Sequence, residues 1–384
     1  MRRKLTLAIG SLAVFCILGS AALAQEPSAP YQIETIAEGL EYPWSIAFLP
    51  SGDMLVTERP GRLRMLSSDG VLSPAFGGVP EVYAEAQAGL FDVVLHPDFE
   101  TTGWIYLAYA HGIRAANATR LVRARIDGTS LTDLEVLFTV SPTKATAAHY
   151  GGRILFLEDG TLVLTLGDGF DYRERAQHLS DHLGTFVRLN DDGSVPDDNP
   201  FVGVEGALPE IWTYGNRSPQ GLVRDPITGV IYSHEHGPQG GDEINVMVPG
   251  ANYGWPVVTY GLDYSGQIVT PYTEYPGMVD PLTYWVPSIA PTGLAIYRGQ
   301  MFPEWDGDLF VGALIAGDAP PSDSGPVGGH VRRMDMEDGQ IVGEEILFAE
   351  IDARIRDVRV APDGSLYILT DEEDGRVLRI VRAP

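Results

Sequence analysis

Cysteine is confined to one residue of the 384, Cys16, and that residue lies in a leader. The first 24 residues, MRRKLTLAIGSLAVFCILGSAALA, combine three cations, an apolar run too short for a membrane anchor and an Ala22-Leu23-Ala24 ending. This is the pattern of a secretory signal peptide, with cleavage expected near Ala24 and a periplasmic destination. Phe15 precedes Cys16 where lipid attachment would want a small residue, so lipidation is not expected. The mature chain, 25–384, then holds no cysteine and can form no intramolecular disulfide even where oxidation would allow one. Lysine is as scarce: Lys144 is the only one beyond the leader, so any anion site must be built from arginine. Long apolar runs are also missing after residue 24, and amphipathic helical periodicity is limited to a short stretch at 173–183.

Acid is what the chain has in excess, 52 Asp and Glu against 26 Lys and Arg, for a net charge of −26. Such a surface excludes nucleic acid and anionic membranes as natural partners. The acids are dispersed, which fits a self-repelling soluble surface with calcium sites inside it.

One pattern recurs: SGDMLVT, TGWIYLA, DGTLVLT, TGVIYSH, DGDLFVG and DGSLYIL, each a glycine turn followed by alternating apolar residues. The turn glycines, Gly52, Gly103, Gly160, Gly229, Gly307 and Gly364, are 51 to 78 residues apart. Most units carry a second strand just before the turn, such as WSIAFLP, FDVVLHP and GRILFLE. Six hairpins at blade spacing predict an all-β fold, a six-bladed β-propeller of four-stranded antiparallel blades forming one domain over 25–384. A β-sandwich with long loops is the alternative, and the wide spacing disfavours it. The last strand, VLRIVR, is expected to close the ring against a strand near Tyr31 to Ile36, since closure removes exposed edges. The long insertions fall at 169–306, where site-building loops are expected.

Four stretches carry candidate chemistry. HYGGRILF places His149 before two glycines, and one hairpin later LTLGDGFD places Asp168, so a histidine oriented by a carboxylate is within reach. Taken alone, a loop histidine bonded to backbone is the commoner fate. YGNRSPQGL fixes Arg217 in a tight turn, a setting suited to clamping an oxyanion. EHGPQGGDEIN and GANYGWP offer carbonyls and carboxylates of the kind calcium takes, and His234 and His236 form a same-face pair that lacks a third metal ligand nearby. DARIRDVRVAPDG puts Arg354 and Arg356 on one side of a strand, where two cations repel unless an anion or acidic neighbours answer them.

Together with AQAGLFDVVLHPDF, HLGTFVRLNDDGSVPDDNPF and PSIAPTG, these stretches resemble, in order and spacing, the soluble aldose or glucose dehydrogenases that use pyrroloquinoline quinone (PQQ). The resemblance covers nearly the whole mature chain and implies a six-bladed propeller that oxidises an aldose to its lactone with PQQ and Ca2+, passing electrons to an acceptor protein or quinone. It implies His149 as general base, Asp168 as its orienting carboxylate and Arg217 as the guanidinium over the quinone oxygens. Gln87, Ser218, His236, Tyr264, Arg354 and Arg356 would contact the cofactor. Gly237 and Pro238 would ligate the calcium beside it, and Asp242, Glu243 and Tyr253 a second, structural calcium. Tyr284 and Trp285 would help wall the pocket.

Three positions depart from the family pattern. Ile315 stands where lysine is usual, leaving a cofactor cation to be supplied by Arg332 or Arg333 folding back. Ser218 replaces an asparagine, and Ala148 replaces the acid of the glucose-specific branch. They keep two other readings open, a PQQ-free propeller binding glycans or a surface partner, and a calcium-dependent lactonase.

Overall fold

A computed structural model describes residues 30–318 and 328–384. The expected signal peptide and most of the proline-rich insertion after Ile315 lie outside the described residues.

The chain opens with β1 (Tyr31–Leu40) and then builds six antiparallel sheets in sequence order. Blade one is β2 (Pro43–Phe48), β3 (Met54–Glu58) and β4 (Arg62–Leu66). Blade two is β5 (Leu90–Leu95), β6 (Trp104–Ile113), β7 (Ala116–Asp127) and β8 (Ser130–Thr139). Blade three is β9 (Gly151–Phe156), β10 (Leu162–Leu166), β11 (Thr185–Leu189) and β12 (Ile211–Tyr214). Blade four is β13 (Pro219–Arg224), β14 (Ile231–Glu235), β15 (Asp242–Val246) and β16 (Thr283–Trp285). Blade five is β17 (Pro291–Ile296), β18 (Leu309–Ala313), β19 (His330–Glu337) and β20 (Gln340–Leu347). Blade six is β21 (Ile355–Val360), β22 (Leu366–Thr370) and β23 (Gly375–Arg382), completed by β1.

The expected six-bladed propeller is therefore the fold, and the repeated units are the inner hairpins of its blades. All six turn glycines hold positive φ, from 66° to 102°, a region that side chains disfavour. The ring closes as expected, with Tyr31 opposite Arg382 and Leu40 opposite Gly375. Joining the first strand to the last blade removes the edge that an open array would expose.

Blade one departs from four strands among the described residues. Its outer position holds only a bridge between Leu66 and Leu72, with Ser73 N donating to the Met65 carbonyl and Phe76 N to that of Leu63. Pro74, which has no N–H, interrupts the ladder there. The helical expectation at 173–183 also contracts, to a 3-10 turn at Arg173–Gln177, because His178 is already extended.

Apolar clusters fill the wedges between blades. Trp305, Tyr297, Phe302, Phe310 and Phe348 pack with Ile355, Val358 and Ile368 where blades five and six meet. Each such side chain contributes roughly 1.5–3 kcal/mol by leaving water. One positional rule follows from the topology. Residues just before an innermost strand, or just after the second strand of a blade, all emerge at one end of the ring.

Candidate active site

That end gathers the expected residues from blades that are far apart in sequence. Gln87, His149, Arg217 and Arg354 immediately precede or lie close before the innermost strands β5, β9, β13 and β21. Asp168, His236 and Asp371 follow the second strands β10, β14 and β22.

His149 and Asp168 meet: His149 Nδ1 lies 2.6 Å from Asp168 Oδ1, and both are buried. The carboxylate can only accept, so the imidazole carries its proton on Nδ1 and leaves Nε2 with a free lone pair. Asp168 is held in turn by Trp255 Nε1 at 2.7 Å and by the Phe170 amide at 2.8 Å. Burial lowers the His149 pKa below its ordinary 6.5, opposed by Asp168 and reinforced by Arg217 and Lys144. Burial alone would raise Asp168, but the hydrogen bond from His149, with the charges of His149 and Arg217, takes it below 3.8. A neutral imidazole on an ionised carboxylate is the resting state of a general base.

The backbone around His149 is unusual. His149 holds φ +53°, and Gly151 and Gly152 hold +72° and +98°. The close approach that these glycines permit is to protein: a Cβ at Gly151 would lie 2.4 Å from the Thr165 carbonyl oxygen, and one at Gly152 2.7 Å from the Phe91 ring. Lys144 braces the turn, its Nζ donating to the Thr146 and Ala148 carbonyls at 2.8 Å each and lying 3.4 Å from the Tyr150 ring centroid. Burial pushes its pKa down to about 7, against the pull of Asp168. Gln87 completes the support by accepting the His149 amide at 2.8 Å.

Residues next to this pair line two cavities, Gln87, Tyr150 and Gly151 the inner one and Phe170, Arg217 and Trp255 the outer. The inner one, about 580 Å³, is lined by Trp44, Phe91, Gln87, His236, Arg354 and Arg356 among others. Arg354 and Arg356 both reach Asp371, at 3.2 and 2.9 Å. Burial would raise the Asp371 pKa, yet Arg356, Arg354 and Arg59 together hold it down at about 2. His236 donates from Nε2 to the Pro291 carbonyl and His234 from Nε2 to that of Gly293, so the two histidines serve as neutral donors and not as a metal pair. The outer cavity, about 720 Å³, is lined by Phe170, Arg173, Arg217, Pro238, Trp255 and Tyr264 among others. Arg217 donates to the His236 and Gly237 carbonyls, while its buried Nε has no partner. The Arg217 guanidinium that lines this cavity is suited to an anionic oxygen.

Several expected residues are placed otherwise. Asp242 is fully engaged within the protein, accepting from Ser288 Oγ and the amides of Gly237, Ile289 and Ala290, so it ties loops together instead of facing a metal. The Gly237 carbonyl already accepts from Arg217 Nη1 at 2.5 Å, and Tyr253 turns its hydroxyl to Val246 O and Val248 N. Glu243 is different. It is buried opposite Glu235 on paired strands, and burial, with Asp242 and Asp280 nearby, raises it to about 7. Carboxylates crowded this way fit a hard dication. Ser218 is buried, with its hydroxyl 3.4 Å from Gln220 Nε2. Trp285 bonds Glu344 within the core between blades four and five, and Tyr284 stacks on Tyr260, and neither is among the residues lining the inner or outer cavity. Arg332 is consumed by Asp318, Glu344 and His330, and Arg333 by Asp308 and Glu345, so neither replaces the missing lysine.

Sequence reasoning missed Arg59, which also lines the inner cavity, and Trp255, which fixes Asp168. Arg59 follows the second strand of blade one, where the positional rule would have pointed once the blades were in register.

Comparison with known proteins identifies the family. The family model described as glucose/sorbosone dehydrogenase matches residues 40–379. The Escherichia coli aldose sugar dehydrogenase YliI is 40% identical, over 94% of this chain and 95% of that protein. The apo-form crystal structure of the soluble E. coli aldose sugar dehydrogenase superposes with a TM-score of 0.86 at 38% identity, covering 92% of this chain and 100% of that one. The PQQ-bound aldose sugar dehydrogenase of Streptomyces coelicolor superposes at 0.73 and 25% identity, covering 93% and 99%. The chain therefore belongs to the glucose/sorbosone dehydrogenase family and is an oxidoreductase enzyme.

Proposed function

We propose that this enzyme oxidises an aldose at its anomeric carbon to the lactone, using PQQ as hydride acceptor and calcium as a Lewis acid. The observation that carries the reading is the His149–Asp168 pair, with Nε2 unengaged, beside residues that line an arginine-rich inner cavity and an outer one.

The inner cavity fits PQQ: flat apolar walls from Trp44 and Phe91, Gln87, and guanidinium groups for its carboxylates. When bound, the quinone supplies an electrophilic carbon that takes up hydride. Glu243 and Glu235 are the carboxylates suited to calcium, whereas Gly237 would have to release Arg217 first. His149 takes the proton of the anomeric hydroxyl on Nε2, and Asp168 stabilises the imidazolium through Nδ1. Arg217 would offset negative charge gained by the oxygens of the hydride acceptor. Phe170 and Tyr264, stacked at 6.2 Å, offer apolar faces to a sugar ring at the outer mouth. The described residues include no helix long and apolar enough to cross a membrane, and the leader sequence supports periplasmic action with electrons passing to a protein or quinone acceptor.

The test is to load the apoprotein with PQQ and calcium, add a panel of aldoses, and follow the cofactor's absorbance with product analysis. Cofactor reduction with lactone formation is expected. No reduction by any aldose would overturn the reading.

A further inference from the structure

Resting on the reading of the inner cavity as a PQQ pocket, we infer that Arg59 is the third cation of its anion-binding set, filling the role left open by Ile315. Ile315 itself lies outside the cavity lining, and its amide is tied to the Ile289 carbonyl. Arg332 and Arg333 are neutralised elsewhere, as described above.

Arg59 differs from its neighbours in the chain. Arg62 pairs with Glu58 and Glu41, and Arg64 with Glu58. Arg59 has no carboxylate within 4 Å among the described residues. It is nonetheless ordered: Nη1 donates to the Ala86 carbonyl at 2.8 Å, and the guanidinium lies 4.3 Å from the Tyr42 ring centroid. Gly89 packs on its side chain so closely that a Cβ there would lie 2.3 Å from Arg59 Cγ. Ala86 is followed by Gln87, which lines the same cavity and holds the His149 amide. The side chain is thus braced by apolar and neutral contacts, and among the described residues no carboxylate contacts its charge.

The charges around the cavity do not balance. Arg59, Arg354 and Arg356 face a single carboxylate, Asp371. Three guanidinium groups around one acid leave two positive charges in a partly enclosed space, which is unfavourable unless a ligand bearing two or more carboxylates enters. Ring closure makes this possible, because the connection between β1 and β2 bridges the two loops: the Arg59 amide donates to the Tyr42 carbonyl, and the Tyr42 amide donates to the Glu372 carbonyl after β22.

The experiment measures binding of two probes to apoprotein by calorimetry: PQQ, and benzene-1,3,5-tricarboxylate, which has carboxylates but no quinone. Melting temperatures of parent, Arg59→Gln and Arg59→Lys are recorded alongside. Losing one charge-assisted contact should weaken both probes in Arg59→Gln by about 10- to 100-fold, with melting unchanged or raised by relief of repulsion. Equal affinity in Arg59→Gln and parent would overturn the inference while leaving the PQQ reading intact. If Arg59→Gln melts early, Arg59→Lys decides: near-parent affinity supports a role for the charge, and a loss as large as that of glutamine overturns it. A parent that binds the tricarboxylate but not PQQ would overturn the proposed cofactor and leave Arg59 standing. A parent that binds neither overturns both.

Discussion

Two clusters of arginine and aspartate sit one above the other along the propeller axis, and they differ in balance. In the channel, Arg153 and Arg359 face Asp92 and Asp357: Arg153 lies 3.0 Å from Asp357 and 3.6 Å from Asp92, and Arg359 lies 2.9 Å from Asp357 and 3.0 Å from Asp92. Two cations meet two anions, and Ser45 and the Ile154 amide satisfy further lone pairs of Asp92. In the inner cavity, Arg59, Arg354 and Arg356 share only Asp371. The same residue types therefore do two jobs. The balanced set ties the innermost strands β2, β5, β9 and β21 together, and the unbalanced one is left with excess positive charge.

The largest effect separates chemistry from both clusters. His149→Asn should lower kcat by about 10²–10⁴ while leaving PQQ affinity and melting near those of the parent, since only the proton acceptor is lost. Unchanged turnover would refute the base assignment. Next comes the channel: Asp357→Asn leaves Arg153 and Arg359 underpaired and should cost about 3–5 kcal/mol in urea denaturation, with no ligand present. Lys144→Met strips the Thr146 and Ala148 carbonyls of their buried donor and should cost about 1–3 kcal/mol. Turnover should fall with it, because those carbonyls belong to the turn that sets His149.

The pocket should answer the channel with the opposite behaviour. Arg356→Gln ought to change apoprotein stability by less than about 1 kcal/mol, since Asp371 keeps Arg354 and the excess charge is relieved, yet weaken PQQ. A loss as large as that of Asp357→Asn would erase the distinction between the clusters. The smallest effect lies in the pH profile. The His149 pKa is depressed, so the neutral base persists as pH falls through 6.5, and the acid limb of kcat/KM should lie below that value. A limb at or above 6.5 would contradict the burial argument.

The inner hairpins were legible because each pairs a glycine turn with period-two apolar residues, a signal local in sequence. His149 and Asp168 were legible as partners for the same reason, being joined by one hairpin. Blade one's missing outer strand was not, because Pro74 acts on a pairing that no repeat announces. Arg59 and Trp255 were not legible either. Arg59 reaches the pocket only when the first blade closes on the sixth, and Trp255 reaches Asp168 from a long loop of the next blade. The bonds that Asp242 makes to the amides of a distant loop, 288–290, were not legible. Hydrogen-bond partners of this kind follow from ring geometry and leave no trace in spacing.

The most direct test of the account is calorimetric titration of PQQ into the purified apoprotein, with calcium present, alongside its melting temperature. The account predicts one PQQ bound per chain at micromolar or tighter affinity, with melting raised as the native state alone takes up the ligand. Absence of binding heat together with an unmoved melting temperature would contradict it.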